Sequence, residues 1–252
     1  MASKTYSENV IVLRKTRLRE ADLILTMLAE DGRQVRAVAK GALKPTGSFA
    51  SRLELYSQAK VLLVEGRSLD IVKEARLLDA HAPLRFDYVR SICAAPVAEL
   101  LAMATQDELP VPRLFPMTQA ALSCLASAPE GIVRIVMAAF LLKAASVLGF
   151  RPSFTVCAEC GARVEGGEAG PSWFSHAAGG VLCADCAAYA EARAYPATTL
   201  AWANALMQST FAQIAEFEAD DATTRAVLVL VQEWIATHIG TLRSLPFVLQ
   251  LP

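Results

Sequence analysis

Four of the six cysteines form two Cys-x-x-Cys pairs that are separated by 22 residues. Each pair can present two thiolates on one tight turn, and two such turns can supply the four sulfur ligands of a tetrahedral Zn²⁺ site. The gap is slightly longer than the common zinc-ribbon spacing. A closed set of four thiolates leaves no position for water, so we predict one structural, non-catalytic zinc ion. Its predicted ligands are Cys157, Cys160, Cys183 and Cys186.

Paired cysteines also occur in disulfides and in redox-active dithiols, and both interpretations are disfavoured. No secretory signal is recognisable at the N-terminus, and disulfides are rare in the cytosol. Two pairs side by side indicate shared ligation rather than two redox motifs. His176 lies between the pairs, but the cysteines already fill the ligand shell. Cys93 and Cys124 fall on apolar helical faces and are interpreted as core residues.

Basic residues are concentrated in the first third of the chain, where Lys and Arg outnumber Asp and Glu; beyond residue 80 the acids are in excess. This asymmetry indicates a region that binds a polyanion, although a solvated strand face would give the same composition. The basic residues at 14–19 are predicted to lie in the loop between the first two strands. Arg36 and Lys40 are predicted to share one face of the third strand. The predicted phosphate contacts are Arg14, Lys15, Arg17, Arg19, Arg33, Arg36, Lys40, Lys44 and Arg52.

The elements that position these residues change character along the chain. Five β-rich segments are predicted at 9–13, 22–29, 34–40, 60–64 and 69–72, with a hairpin turn at Asp31-Gly32. Five short strands favour a small barrel, and an OB-fold or an SH3-like barrel would both fit. Apolar residues then recur at helical spacing, with a kink or break expected at Pro96. Helices are predicted at 86–101, 114–125, 133–148, 199–216 and 223–239.

The predicted fold class is therefore α+β, a five-stranded N-terminal barrel followed by a helical domain that carries the four-cysteine module. We predict a nucleic-acid-binding barrel at 1–80, helical parts at 81–154 and 191–252, and the zinc module at 155–190. Hydrophobic residues make up 54% of the chain and charged residues 19%, which excludes global disorder. No apolar stretch approaches the roughly 20 residues of a membrane span, so a cytoplasmic protein without membrane contact is expected.

Motifs for catalysis or nucleotide binding are absent from the sequence. There is no phosphate-binding GxxxxGK[ST] loop, no HExxH, no GxSxG and no His-x-Glu of the zinc deaminases. We therefore expect no catalytic residues and no nucleotide. From the residues alone, three alternatives remain open: a zinc-dependent nucleic-acid enzyme, a zinc-containing transcription regulator, and a structural adaptor that does not contact nucleic acid.

Several segments, in their order and spacing, resemble the RecO family of recombination mediators. They are residues 20–26 followed by 38–42, then 148–152 followed by Cys157-x-x-Cys160-Gly161, then Phe174, Gly179-Gly180 and the second cysteine pair, and finally 238–245. The resemblance implies an N-terminal OB-fold, a helical domain and a zinc module set into it. After Gly41 this chain is less basic than the family usually is.

The same resemblance implies a function in DNA repair and DNA recombination after DNA damage. Such proteins bind single- and double-stranded DNA, perform strand annealing, and act with RecR to load RecA onto DNA coated by single-strand-binding protein. Some members bind the acidic C-terminal tail of that protein. An acidic tail requires a basic site, for which Arg134, Lys143 and Arg151 are the candidates.

Overall fold

The computed structural model describes residues 4–44, 49, 51–164 and 172–251. The chain divides into two compact units, Met1–Ser127 and Ala128–Pro252. Residues 165–171, which belong to the predicted cysteine module, lie outside the described part of the chain. None of the helices within the described part is long and apolar enough to cross a membrane.

A five-stranded barrel forms the first half of unit one. Its strands are arranged in the order β1-β2-β3-β5-β4, and pairing of β4 with β1 closes the barrel. All neighbours are antiparallel except β3 and β5, which run parallel. Inward positions are apolar, as a small filled barrel requires, and include Val12, Leu25 and Leu63. The strands are β1 (Thr5–Arg17), β2 (Leu23–Ala29), β3 (Gln34–Ala39), β4 (Gln58–Val64) and β5 (Asp70–Asp79).

Strand β1 is longer than its apolar run predicts. It continues to Arg17, so Arg14, Lys15 and Arg17 lie in the strand and the predicted loop position was wrong for all three; Arg19 lies in the turn to β2. The register shifts between Val12 and Arg14, which indicates a bulge. The bulge re-aims the side chains while the hydrogen-bonded ladder continues, and this change of alternation hid the strand from the sequence pattern.

The tight turn at Asp31-Gly32 is confirmed, because β2 and β3 pair antiparallel on either side of it. Gly32 has a φ of +83°, which favours glycine. A Cβ at this position would lie 1.9 Å from the backbone oxygen of Val111. Close packing and backbone conformation therefore both require glycine in this turn.

Among its described residues, unit one also has three helices: α1 (Pro83–Phe86), α2 (Tyr88–Ala104) and α3 (Leu114–Ser127). Asp87 caps α2 by accepting a hydrogen bond from the backbone N–H of Arg90, and the helix continues through Pro96 rather than ending there. At its other end, the Gln34 side chain donates to the backbone oxygens of Ala102 and Thr105, at 3.0 and 3.1 Å. These bonds fix the end of α2 to the start of β3, and the helix also packs against β1 and β2.

Unit two is built on α4, whose residues are buried on nearly every side. The helix predicted over 199–216 is two helices, because Thr210 starts a new one by capping the backbone N–H of Gln213. The single-helix prediction was wrong at this position. The elements are α4 (Glu130–Val147), β6 (Ser172–Ser175), β7 (Gly180–Leu182), α5 (Ala184–Ala187), β8 (Arg193–Tyr195), α6 (Ala197–Gln208), α7 (Phe211–Ile214), α8 (Asp221–His238) and α9 (Leu245–Leu249).

Candidate metal centre and nucleic-acid interface

The four predicted cysteine ligands lie together, with all Sγ atoms within 4.8 Å of one another. The first pair is on a turn closed by Gly161, whose N–H donates to the oxygen of Cys157 at 3.0 Å with a φ of +75°. The second pair is at the start of α5, where the N–H of Ala187 donates to the oxygen of Cys183 at 2.9 Å. The arrangement can hold a metal ion, as the spacing predicted.

Hydrogen bonds make the thiols of this cluster unequal. Backbone N–H groups of Cys160 and Cys183 lower the pKa of the Cys157 thiol to about 6. The N–H of Cys183 lies 3.4 Å from the Cys157 sulfur. By contrast, hydrogen bonding to the Cys183 thiol raises the pKa of Cys186. Crowded sulfurs therefore do not ionise together without a cation, and a bound divalent ion would favour the thiolate form of all four.

Close backbone contact holds the first cysteine turn against the small sheet, in which the strand order is β7-β6-β8. The N–H of Val181 donates to the oxygen of Ser153, and the N–H of Ala158 donates to the oxygen of Val181, both at 2.9 Å. A Cβ on Gly180 would lie 2.3 Å from the Ser153 oxygen. Glycine at this position therefore permits the approach that brings the two cysteine pairs together.

Aromatic side chains join this small sheet to α8. Phe174 is fully buried, and its ring centroid lies 5.7 Å from that of Phe154 and 5.9 Å from that of Trp234. The indole N–H of Trp234 donates to the oxygen of Phe150 at 3.1 Å. The cysteine module is therefore supported by an aromatic cluster on one face of the helix.

Beside the aromatic cluster, Glu233 accepts several hydrogen bonds. It receives the Tyr195 hydroxyl at 2.7 Å, pairs with Arg193, and lies 3.2 Å from the Nε2 atom of His176. Burial lowers the pKa of the His176 imidazole. Within the described residues, His176 is not part of the sulfur cluster.

On the barrel, cross-strand pairing brings two of the predicted phosphate contacts into one row. Arg14 on β1 lies opposite Thr26 on β2, and Thr26 lies opposite Arg36 on β3. Directly opposite residues point to the same side of a sheet, so Arg14 and Arg36 extend from one outer wall, and both are exposed. Lys40, which follows β3, is exposed as well. We call this exposed surface of β1, β2 and β3 the first basic wall.

Four of the other six predicted contacts already have partners in the fold. Lys15 pairs with Glu54 at 2.7 Å. The guanidinium of Arg33 lies among three carboxylates, those of Glu8, Asp31 and Asp107, at 3.0 to 3.2 Å. The Arg52 side chain donates to the oxygen of Ala75 at 3.2 Å, next to β4 and β5. Arg17 donates to the oxygen of Glu20 at 3.3 Å, and Arg19 and Lys44 are exposed.

The three residues predicted to bind a partner protein do not form one cluster. Arg134 pairs with Asp221 at 2.7 Å. The Lys143 ammonium donates to the oxygen of Met207 at 3.1 Å, and burial lowers its pKa. The spacing of these two residues on α4 places them on opposite sides of the helix. Arg151 is exposed.

Sequence reasoning missed a second group of basic residues on the barrel. Lys60 on β4 lies opposite Arg76 on β5, and Lys73 is nearby. Each of them is isolated in the sequence among apolar or acidic neighbours, so no local run marks them. Only the β4–β5 register brings them together, and alternation of exposed and buried residues along β4 was the available signal.

Comparison with known proteins covers both units. A family model described as "Recombination protein O N terminal" matches residues 1–81, and one described as "Recombination protein O C terminal" matches residues 85–246. The chain is similar to a DNA repair protein RecO of Nocardioides sp. (strain ATCC BAA-499 / JS614), with 32% identity over 249 residues, 96% of this chain and 98% of that relative.

The chain is also similar to proteins of the same name from Desulfitobacterium hafniense. The protein of strain DSM 10664 / DCB-2 is 35% identical over 181 residues, which are 72% of this chain. The protein of strain Y51 gives the same values. In both cases the match spans only 64% of the relative's length.

Proposed function

Because the chain belongs to the RecO family, we propose that it is a recombination mediator in DNA repair rather than an enzyme. In this role it binds single- and double-stranded DNA in the cytoplasm and anneals complementary strands. Together with RecR, it helps to load RecA onto DNA coated by single-strand-binding protein. The match to family models over both units supports the mediator role, and the named partners follow from the family resemblance.

The proposal that the protein binds DNA rests mainly on the first basic wall. Arg14 and Arg36 extend from one cross-strand row, with Thr26 between them, and Lys40 comes directly after the strand that carries Arg36. The closed strand order with parallel β3 and β5 supports assignment of the barrel, residues 1–80, as an OB-fold. In such a barrel the outer strands and loops bind oligonucleotides, so the wall is suited to a phosphate backbone.

Annealing would follow from charge neutralisation. Two complementary strands repel each other through their phosphates, and cations that neutralise both strands lower this repulsion. Arg36 and Lys40 would act mainly as charges, without reading bases, so binding should be nearly independent of sequence and should weaken steeply with salt. This requires no nucleotide and no catalytic group.

Zinc is the proposed metal of the cysteine module at 155–190. Four sulfurs at about 2.3 Å from a tetrahedral zinc ion lie roughly 3.8 Å apart. The Sγ atoms of Cys160 and Cys183 are 3.7 Å apart, and the whole set lies within 4.8 Å. The four thiolates would fill the coordination shell, so the ion would support the fold and would not activate water.

The acidic tail of single-strand-binding protein is proposed to bind a basic site in the helical parts. Arg151 is the exposed candidate, whereas Arg134 and Lys143 already donate to other groups. A labelled acidic tail peptide should therefore lose affinity when Arg151 is changed to Glu. Unchanged anisotropy titrations for this variant would remove Arg151 from the site.

The central test is fluorescence annealing of two complementary oligonucleotides by the purified protein, without ATP, over a salt series. We expect rapid annealing that falls steeply as salt rises, and its loss in the variant Arg36→Glu, Lys40→Glu. The matched control is Arg113→Glu, Arg225→Glu, which makes the same change of charge at exposed positions outside the strands of the wall. Full annealing by the Arg36, Lys40 variant would overturn the role of the wall.

A further inference from the structure

A second outer wall of the barrel, formed by β1, β4 and β5, repeats the pattern of the first. Asn9 on β1 lies opposite Lys60 on β4, and Lys60 lies opposite Arg76 on β5. Lys60 and Arg76 therefore point to the same side of the sheet, and both are exposed. They line a surface cavity of about 440 Å³ that Lys73 and Arg52 also line. We call this surface the second basic wall.

The positions of Lys60 and Arg76 are unfavourable for the stability of the barrel when no ligand is bound. Like charges directly opposite each other on neighbouring strands destabilise a sheet. In the part of the chain that the structure describes, Lys60, Lys73 and Arg76 form no ion pair, although Glu74 lies beside the cavity. An uncompensated cluster that weakens the sheet is explained if an anion binds there.

Arg33 provides the contrast within the same barrel. It is surrounded by three carboxylates, two from the barrel and Asp107 from beyond α2, so the fold itself compensates its charge. Arg52 on the second wall differs again, because its guanidinium donates to a backbone oxygen and keeps its full charge. The second wall therefore carries cations that no ion pair among the described residues balances, and we expect its partner to bring negative charge.

The residues that line the cavity favour an extended polyanion with flat apolar groups. The cations lie on β4, β5 and the segment before β4, which matches a run of phosphates better than a single ion. Phe49 and Leu62 line the same cavity. An aromatic ring beside a cationic groove is the arrangement on which the bases of a single strand stack.

We propose that the second basic wall binds the sugar–phosphate backbone of a second single DNA strand while the first basic wall holds another. This inference rests on the proposed DNA-binding function and adds a separate site to it. Two walls of one small barrel would then bring two strands within reach of each other. Lys60, Lys73 and Arg76 supply the charge, and Phe49 supplies a stacking surface.

The test uses the full-length protein and two non-complementary oligo-dT strands, one with a donor and one with an acceptor dye. The protein is first loaded with one equivalent of the donor strand, and the acceptor strand is then titrated in. Energy transfer reports capture of a second strand without any base pairing. For the variant Lys60→Gln, Arg76→Gln we expect first-strand affinity within about twofold of wild type. Capture of the second strand should fall at least about tenfold, with its salt slope lower by about two.

Two further variants distinguish a specific loss of second-strand capture from misfolding and from a general loss of positive charge. Lys60→Glu places a carboxylate opposite Arg76, so its melting temperature should rise while second-strand capture is lost. Arg113→Gln, Arg225→Gln removes the same number of charges elsewhere and should capture the second strand like wild type. Loss of capture in the stabilised Lys60→Glu variant would support the site directly.

The outcomes separate this inference from the function on which it rests. Unchanged capture by the Lys60, Arg76 variant, with normal first-strand binding, would overturn the second site and leave the mediator role intact. Equal loss of first-strand and second-strand binding would also overturn it, because the two walls would then be one site. Failure of the wild-type protein to bind any strand at low salt would remove both proposals.

Discussion

The barrel and the cysteine module are held together by different means. The barrel closes on itself and fills its interior with apolar side chains from all five strands, among them Val12, Leu25, Met27, Val61 and Val72. In its described residues, the module at 155–190 has two short strands, β6 and β7, and the four-residue helix α5, and its Phe174 packs against Trp234 of the neighbouring helix. Its other cross-link is the cluster of four sulfurs.

This difference indicates how each region should respond to perturbation. A region that buries many apolar groups loses stability gradually as single groups are removed. A region with little core depends on a metal ion, since metal binding is then the larger part of its folding free energy. The barrel should therefore be insensitive to chelators, and the module should be insensitive to changes inside the barrel.

Removal of the metal ion should cause the largest loss of stability, and this loss should be confined to the cysteine module. Structural zinc contributes on the order of 10 kcal/mol to the folding of small zinc modules, so Cys160→Ser should unfold the module. We expect zinc content to fall from one ion per chain to almost none, and rapid proteolytic cleavage between residues 150 and 195. Oligonucleotide binding by the barrel should persist.

Cys124→Ser is the matched control for this experiment, because Cys124 lies on α3 outside the sulfur cluster. It should retain zinc and resist proteolysis. Loss of oligonucleotide binding on chelation, with the far-UV spectrum of the barrel intact, would contradict the division of roles between the two regions.

Trp234→Ala should have the next largest effect. Trp234 is buried on α8 against Phe174, and truncation of a buried aromatic side chain removes about 3–5 kcal/mol of stability. Trp202→Ala, at a half-buried position on α6, should remove clearly less. Urea denaturation followed by far-UV circular dichroism measures both. Equal losses would show that the aromatic cluster does not support the module.

Leu25→Ala tests the barrel in the same way. Leu25 is fully buried, so we expect a loss of about 2–5 kcal/mol. All three tryptophans of the chain, Trp173, Trp202 and Trp234, belong to the second unit. Tryptophan fluorescence therefore reports that unit alone, and its transition should not move in the Leu25→Ala variant. A shifted fluorescence transition would contradict independence of the barrel and the module.

The smallest change in stability is expected from substitution of Asp220, the N-cap residue of α8. The N–H of Thr223 donates to the Asp220 carboxylate at 2.7 Å and lowers its pKa below the ordinary value. The Asp220 carboxylate therefore binds a proton more tightly in the unfolded chain than in the folded one. The stability that this cap contributes is present at neutral pH and is lost as pH falls below about 4. Asp220→Ala should lower the melting temperature slightly at pH 7 and not at pH 2.5. Asp220→Asn keeps the cap without the charge, and should remove this pH dependence.

The sequence predicted the cysteine cluster and most elements because these depend on local patterns. Two Cys-x-x-Cys pairs carry their geometry in their spacing, and the glycine at 32 marks its turn. The end of β1 and the break between α6 and α7 were not predicted. In β1, a bulge after Val12 interrupts the alternation of apolar residues from which the strand was predicted. Between α6 and α7, the cap at Thr210 interrupts the helical periodicity.

The fate of individual charges could not be predicted from sequence, because it depends on strand register and on distant partners. Arg33 and Arg36 are similar in the sequence, but Arg33 is enclosed by carboxylates that include Asp107, far along the chain. Lys60 and Arg76 are unremarkable alone and become neighbours only through the β4–β5 pairing. A basic composition therefore predicts a polyanion-binding region, and the strand register decides which of its cations lie together.

Closure of the barrel also limits the ways in which other chains can associate with it. An open sheet exposes a strand edge to which a foreign strand can add, and this is a common route to aggregation and to peptide capture. Here β1 is hydrogen-bonded on both sides, to β2 and to β4. The parallel contact of β3 with β5 joins only Ala37 to Asp70 and Val38 to Ile71. Exchange of strands between two copies of the protein would have to begin at this short contact, and a partner elsewhere on the barrel must bind through side chains.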